Sequence, residues 1–141
     1  MRTRERGILT EAKIMAALVA AGYLVLIPFG DGHKYDFVID DTVSLRRVQC
    51  KTGRVKNGVL FFNSYSQSGN GQTKQGYHGL ADLFAVLHPG SGEVYLVPVE
   101  KFGMAGVSLR LMPTLNGQVH KINWAVDYLL TTVTPVDNER E

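Results

Sequence analysis

Asp36, Gln49 and Lys51 lie on two short strand-like runs, Tyr35 to Asp40 and Leu45 to Thr52. In an extended strand successive side chains point to opposite faces. Asp36 and Val38 then share one face of the first run, and Gln49 and Lys51 share one face of the second, with Val48 and Cys50 pointing the other way. Paired as a hairpin, the two runs set Asp36 near Gln49 and Lys51 on a common surface. Carboxylate and amide oxygens are hard ligands of the kind a hydrated Mg2+ accepts. Such an ion polarises a phosphoryl oxygen and activates water, and a neighbouring lysine can orient that water or offset charge in the transition state. The chemistry this suits is phosphodiester hydrolysis. Surface ion pairs produce the same spacing, so spacing alone does not decide between the two.

The elements that must position these residues follow from periodicity. Ile8 to Ala21 reads as a helix with Gly22 as its C′ residue. Ile8, Ala12, Met15 and Val19 recur at the spacing of one buried face. Glu11 lies about 60° from Ile8, at the margin of that stripe, where a carboxylate needs something positive to meet it. A helix packed on the Asp36–Lys51 surface would bring Glu11 to the group. Strand-like runs follow at Tyr23 to Phe29, Tyr35 to Asp40, Leu45 to Thr52 and Gly58 to Tyr65. Ser66 to Gly76 reads as a polar, ligand-facing loop. Tyr65 and Tyr77 flank it, placed either to stack on bases or to anchor in the core. Ala81 to Leu87 and Glu93 to Val99 form a hairpin, Ile122 to Thr131 a second amphipathic, helical segment carrying Trp124 as a core residue, and Pro135 to Glu141 a fraying tail. Without regular β-α-β alternation, this order predicts an α/β (α+β) fold, a mixed sheet flanked by helices, as one domain over residues 1–141.

Composition narrows the class. With 45% hydrophobic and 20% charged residues in a chain of 141, disorder is excluded. One cysteine, Cys50, excludes an intrachain disulfide. Glu11 and Lys13 interrupt the apolar stretch a signal peptide would need, and Ala16 to Pro28 is too short to span a bilayer, so a cytoplasmic protein with no membrane association is expected. The four histidines lack metal-ligand spacing, which argues against structural zinc. His33, close to Asp36 in sequence, reads as a surface loop histidine. Asp82, opening an apolar run, reads as a local cap or ion-pair partner. The charge is uneven. Residues 42–81 hold no acid and six cations, giving +6 against a whole-chain +2, so the remainder carries −4. Such asymmetry marks a phosphate-binding face or a solvated basic surface. Arg54, Lys56 and Lys74 are the candidate nucleic-acid contacts.

Glu11, then Tyr35-Asp36-Phe37-Val38-Ile39-Asp40, then Val48-Gln49-Cys50-Lys51-Thr52-Gly53 resemble the signature of the PD-(D/E)XK nuclease superfamily. The resemblance is nearest to the branch containing a small intron-encoded homing endonuclease. It extends through Gly58-Val59-Leu60 and Leu83-Phe84-Ala85-Val86 to Val94-Tyr95-Leu96-Val97-Pro98-Val99. It implies an αβββαβ core, a Mg2+ site that Mn2+ can share, and DNA as substrate. On that pattern Asp36 is the principal metal ligand, Gln49 stands at the second acidic position and Lys51 is the catalytic lysine. Glu11 is the helix-borne acid, and Cys50 contributes only its backbone carbonyl to the metal. Tyr35 replaces the motif's proline, which does no chemistry. Gln49 replaces an acid, as in the homing-endonuclease branch, and removes one charge from the cage.

Cutting both strands of a duplex takes two sites, so a homodimer or larger homo-oligomer is expected, with Phe61 and Phe62 or the last helix as its apolar surface. A Holliday-junction resolvase would carry the same acid–lysine set on the same fold. A non-catalytic DNA-binding module with a decayed site is the third reading, and the intact Glu11, Asp36, Gln49 and Lys51 count against it.

Overall fold

The computed structural model describes residues 1–67, 74–114, 116–118 and 120–133. Helix α1 (Thr3–Ala20) opens the chain. Strands β1 (Leu24–Leu26), β2 (Phe37–Asp40), β3 (Leu45–Thr52), β4 (Arg54–Lys56) and β5 (Val59–Phe62) follow. After them come β6 (Tyr65–Gln67), β7 (Lys74–Gly76), β8 (Leu83–Leu87), β9 (Val94–Pro98) and β10 (Val107–Arg110).

The helix begins five residues earlier than its apolar pattern predicts. Glu5 accepts the backbone N–H of Arg2 at 3.2 Å, satisfying a helix-start donor at a place where every side chain is exposed and no periodicity can show. At the other end Gly22 has φ +100°. Tyr23 N–H reaches Leu18 O and Gly22 N–H reaches Val19 O, each at 3.0 Å, the paired bonds of a Schellman stop.

The buried stripe of α1 is Thr10, Ile14 and Leu18, not the one expected. Ile8 and Val19 are 62% and 58% exposed. Both sets fit the helical period, and only the tertiary partner chooses between them. The true stripe carries a threonine whose hydroxyl is met from β3, at 2.7 Å by Thr52. Glu11 accordingly sits close beside Leu18 in projection, at the edge of the packed face, and not at the margin of an Ile8 stripe.

The main sheet runs β1-β2-β3-β8-β9, antiparallel except where β3 lies parallel to β8. All five residues of β8 are buried, as a central strand covered on both faces must be. One face, with Phe37, Ile39, Val48 and Ala85, packs on Ile14 and Leu18 of α1. The other, with Phe84, Val86 and Val97, packs on Leu60, Phe62 and Leu109, which belong to a second sheet ordered β10-β5-β4. A short β6–β7 ladder stands apart. Among the described residues the β3-to-β8 crossover, where the αβββαβ order has its second helix, consists of β4 to β7 and a turn.

Two expectations need correction. The segment Ile122 to Thr131 is not an amphipathic helix: only Ala125–Tyr128 forms a 3-10 turn, and Trp124 is half-buried with its backbone bridged to Arg110. Part of Ser66 to Gly76, expected as loop, is the β6–β7 ladder, and its centre lies outside the described residues, as does the tail from Pro135. β4 and β10 gave no warning, since at three and four residues their alternation of apolar and polar residues is too short to stand out.

Candidate active site

β2 and β3 pair from Asp40↔Leu45 to Phe37↔Val48 and then part. At the parting point Asp36 N–H still reaches Val48 O at 2.7 Å, but its side chain turns into the gap and takes the next donor of β3. Cys50 N–H donates to Asp36 Oδ2 at 2.8 Å. Because the N–H and C=O of one strand residue point toward the same neighbour, the Cys50 carbonyl also faces the gap. Gln49 Nε2 approaches that carbonyl at 3.4 Å. The carboxylate, the carbonyl and the amide thus gather where one strand abandons another.

Gln49 and Lys51 share a face as expected, but α1 does not cover it. The helix packs against Val48 and Cys50, while Lys51 lies over the opposite cluster, its Nζ 4.9 Å from the centroid of Tyr77 and 3.3 Å from Tyr65 O. Glu11 therefore reaches the group from across the open end of the sheet. It lines one cavity of about 310 Å³ with Asp36, Asp31 and His33. His33 is exposed and bonded through Nε2 to Phe29 O at 2.7 Å.

The electrostatics describe a site short of positive charge. Burial raises the Asp36 pKa, against the lowering effect of the Cys50 hydrogen bonds and the Lys51 charge. Burial also raises Glu11, and the Asp36 charge pushes it further up. Burial lowers the Lys51 pKa, partly offset by Asp36. A lysine so placed is readier to exchange a proton than an exposed one. Burial drives the Cys50 thiol far up, with Asp36 and Glu11 adding to it, so the thiol stays protonated and only its backbone is offered.

Among the described residues no three His, Cys, Asp or Glu side chains converge closely enough to hold an ion by themselves. The donors present are two carboxylates, a carbonyl oxygen and an amide. All are hard, and they suit Mg2+, which keeps several waters and does not need a full protein cage. Two mutually repelling carboxylates in a partly desolvated gap are relieved by a cation there. The residues fit the metal.

Sequence reasoning missed Asp31, whose Gly-Asp-Gly setting reads only as a turn, and left Tyr77 undecided. Tyr77 is 5% exposed and belongs to the core. The basic window is also weaker than its count. Arg46 pairs with Asp41 at 3.0 Å and Arg47 with Asp82 at 3.1 Å, so at least two of the six cations are tied up in ion pairs. Asp82 is the local partner expected of it. Arg54 and Lys56 are exposed on β4, away from the cavity. Lys74 opens β7, but its side chain lies outside the description.

No helix among the described residues is long and apolar enough to cross a membrane. No functionally curated protein matches the chain. A bacterial homing endonuclease, I-Ssp6803I, has a similar fold, with a TM-score of 0.63 at 20% identity over 91% of this chain and 86% of that one. The sequence profile of the PD-(D/E)XK endonucleases matches residues 1–131, and the chain belongs to that nuclease family.

Proposed function

We propose that this nuclease is an endonuclease that hydrolyses phosphodiester bonds in double-stranded DNA, acting as one domain with Mg2+ at the gap between β2 and β3. The observation that carries the reading is the pairing of Asp36 and Glu11, both raised in pKa, with Lys51 held beside them. Asp36, Glu11 and the Cys50 carbonyl would hold the ion, with Gln49 supplying a neutral oxygen. An ion held there would supply Lewis-acid polarisation of the phosphoryl oxygen and a more acidic attacking water. Lys51 is held by the Tyr65 carbonyl and the Tyr77 ring, so its ammonium is aimed before substrate arrives, which is the condition for stabilising developing charge. Arg54, Lys56 and Lys74 would neutralise phosphates of the duplex.

A second copy would supply the second strand's site. Of the surface expected for this, Phe62 is 1% exposed and Ile122 to Thr131 is not a helix, which leaves only the half-buried Phe61. The outer face of β1 to β3 offers instead Leu24 and Leu45, 63% and 61% exposed, joined in register through Asp40. Sedimentation of the parent protein beside Leu24→Asp reads this directly.

The test of the activity is a cleavage assay on a linear duplex and a four-way junction of matched sequence, with and without Mg2+. Metal-dependent cutting of the duplex, lost in Asp36→Ala, is the expected result. Cutting confined to the junction would redirect the reading to a resolvase, and full activity in Asp36→Ala would overturn the site.

A further inference from the structure

The two longest stretches of the chain without a carboxylate are residues 42–81 and residues 101–126. The fold joins them. β5 of the first pairs with β10 of the second, and β4 completes the sheet. One face of this sheet buries Leu60, Phe62, Val107 and Leu109. On the other, the register sets Arg54, Phe61 and Ser108 in one row and Lys56, Val59 and Arg110 in the next. That outward face carries three cations and no acid. Arg54 lies 4.9 Å from the Phe61 centroid, and Arg110 is braced on the carbonyls of Met112 at 3.1 Å and Pro113 at 3.2 Å.

Beside the β4–β5 turn lies a cleft of about 790 Å³ lined by Asn57, Arg110, Met112, Pro113, Asn116 and Gln118. Asn116 Oδ1 accepts Gln118 N–H at 3.0 Å, and Gln118 Nε2 donates to His120 O at 3.1 Å. These bonds orient each amide while using one end of it. Three amides and a braced arginine are more than phosphate binding requires. Asn and Gln match the donor–acceptor pair on adenine, Arg matches guanine, and the major groove admits a two-stranded β-ribbon.

We propose that the β4–β5 hairpin with β10 is the DNA-reading surface, Arg54 and Lys56 gripping phosphates while Asn57, Arg110, Asn116 and Gln118 contact base edges in the major groove. The proposal rests on the reading of the chain as a DNA nuclease. Gly53 links the hairpin to the catalytic strand, and a Cβ there would collide with Leu60 and the Leu87 carbonyl, so the link has one packed geometry. Asn57 is six residues beyond Lys51, at most about 20 Å of extended chain. That limits the contacts to within about six base pairs of the cut.

The test selects duplexes from a random pool with the Lys51→Ala protein and with the same protein carrying Asn57→Gly and Gln118→Ala. Asn57 has φ +53°, so glycine keeps its backbone while removing its amide, and equal thermal midpoints check the fold. The expected result is a purine preference of about fivefold or more at one or two positions, lost with the amides, and mapped within about six base pairs of the site where the parent protein cuts the selected DNA. Lys56→Ala should keep that preference while lowering the slope of log K against log salt by about 0.9. No preference, a preference unmoved by losing the amides, or an unchanged salt slope overturns the proposal. Selective binding by a parent protein that cuts nothing in Mg2+ would instead overturn the nuclease reading and leave the reading surface standing.

Discussion

The two halves of β3 treat charge in opposite ways. In the first half each arginine has its acid. Asp41 is held below the ordinary carboxylate range by the N–H groups of Ser44 and Val43, with Arg46 adding to it. Asp82 is held below it by the Arg47 guanidinium and backbone N–H. In the second half, after β2 has left, Asp36 and Glu11 are raised and Lys51 is lowered. In the first half the charges are paired, although Arg46 Nε is buried without a hydrogen-bond partner. The second stores an imbalance that a bound cation and a phosphate would resolve. Charged residues four and five positions apart on one strand thus meet different surroundings: Arg46 and Arg47 are paired with Asp41 and Asp82, while Lys51 is held by the Tyr65 carbonyl and the Tyr77 ring.

The sharpest way to break this contrast is to remove one cation from each half. Lys51→Ala should cut turnover by about a thousandfold, the scale for a group acting in the transition state, while DNA affinity changes little. Arg47→Ala should leave turnover within about threefold and act on stability instead. Single-turnover cleavage beside a binding titration reads both. Equal losses of turnover would mean that the two halves are not functionally distinct.

Next in size is the stability held in the first half. Asp82 accepts Arg47 N–H at 2.7 Å and the guanidinium at 3.1 Å through each oxygen, and Arg47 also ties down Gly79 O. Asp82→Ala should lower unfolding stability by about 2 kcal/mol at neutral pH, a figure kept modest because the pair is partly solvated. The folded pKa is depressed, so this contribution is present above the ordinary carboxylate pKa and lost as pH falls through the folded value. Urea midpoints of parent and variant should therefore converge in acid. A constant gap down to pH 2 would assign the loss to packing.

The legibility of the molecule follows the same division. β3 is readable to the residue because turn-forming residues bound its run at both ends, and Asp36, Gln49 and Lys51 were readable because strand alternation needs no partner to be known. The helix face was not. Its two stripes, Ile8–Val19 and Thr10–Leu18, are equally periodic, and the choice depends on Thr52, forty-two residues away in the chain. Arg46 and Arg47 looked as available as Arg54 because pairing with Asp41 and Asp82 is a product of the sheet. β4 and β10 owe their form to β5 between them, and the cleft at their end joins residues from both acid-free stretches, which no local pattern connects.

A smaller effect sharpens the second half. Gln49 leaves only two carboxylates for a divalent ion. Gln49→Glu should lower the Mg2+ concentration giving half-maximal cleavage by about threefold to tenfold, since added ligand charge raises affinity. Gln49→Ala should raise it. If neither moves the midpoint, Gln49 does not touch the ion, and its amide serves only to brace the Cys50 carbonyl.

The smallest effect has the opposite sign to most substitutions. Asp36 and Glu11 ionise less readily folded than unfolded, so their contribution to stability is greatest below the ordinary carboxylate range and is lost as pH rises through their folded values. At neutral pH both are charged at a cost. Asp36→Asn keeps an oxygen to accept Cys50 N–H and removes the repulsion with Glu11, so the metal-free variant should be more stable than the parent by about 1 kcal/mol. In acid the two should be alike. Adding Mg2+ should then reverse the order, because an ion that binds only the folded parent stabilises it in proportion to the logarithm of its concentration, while the variant has lost the charge that holds it. Thermal midpoints at pH 4 and pH 8, each with EDTA and with Mg2+, give four comparisons. A variant less stable than the parent in EDTA at pH 8 would show that the Asp36 charge is already balanced without an ion, and the contrast between the two halves of β3 would fail at its central residue.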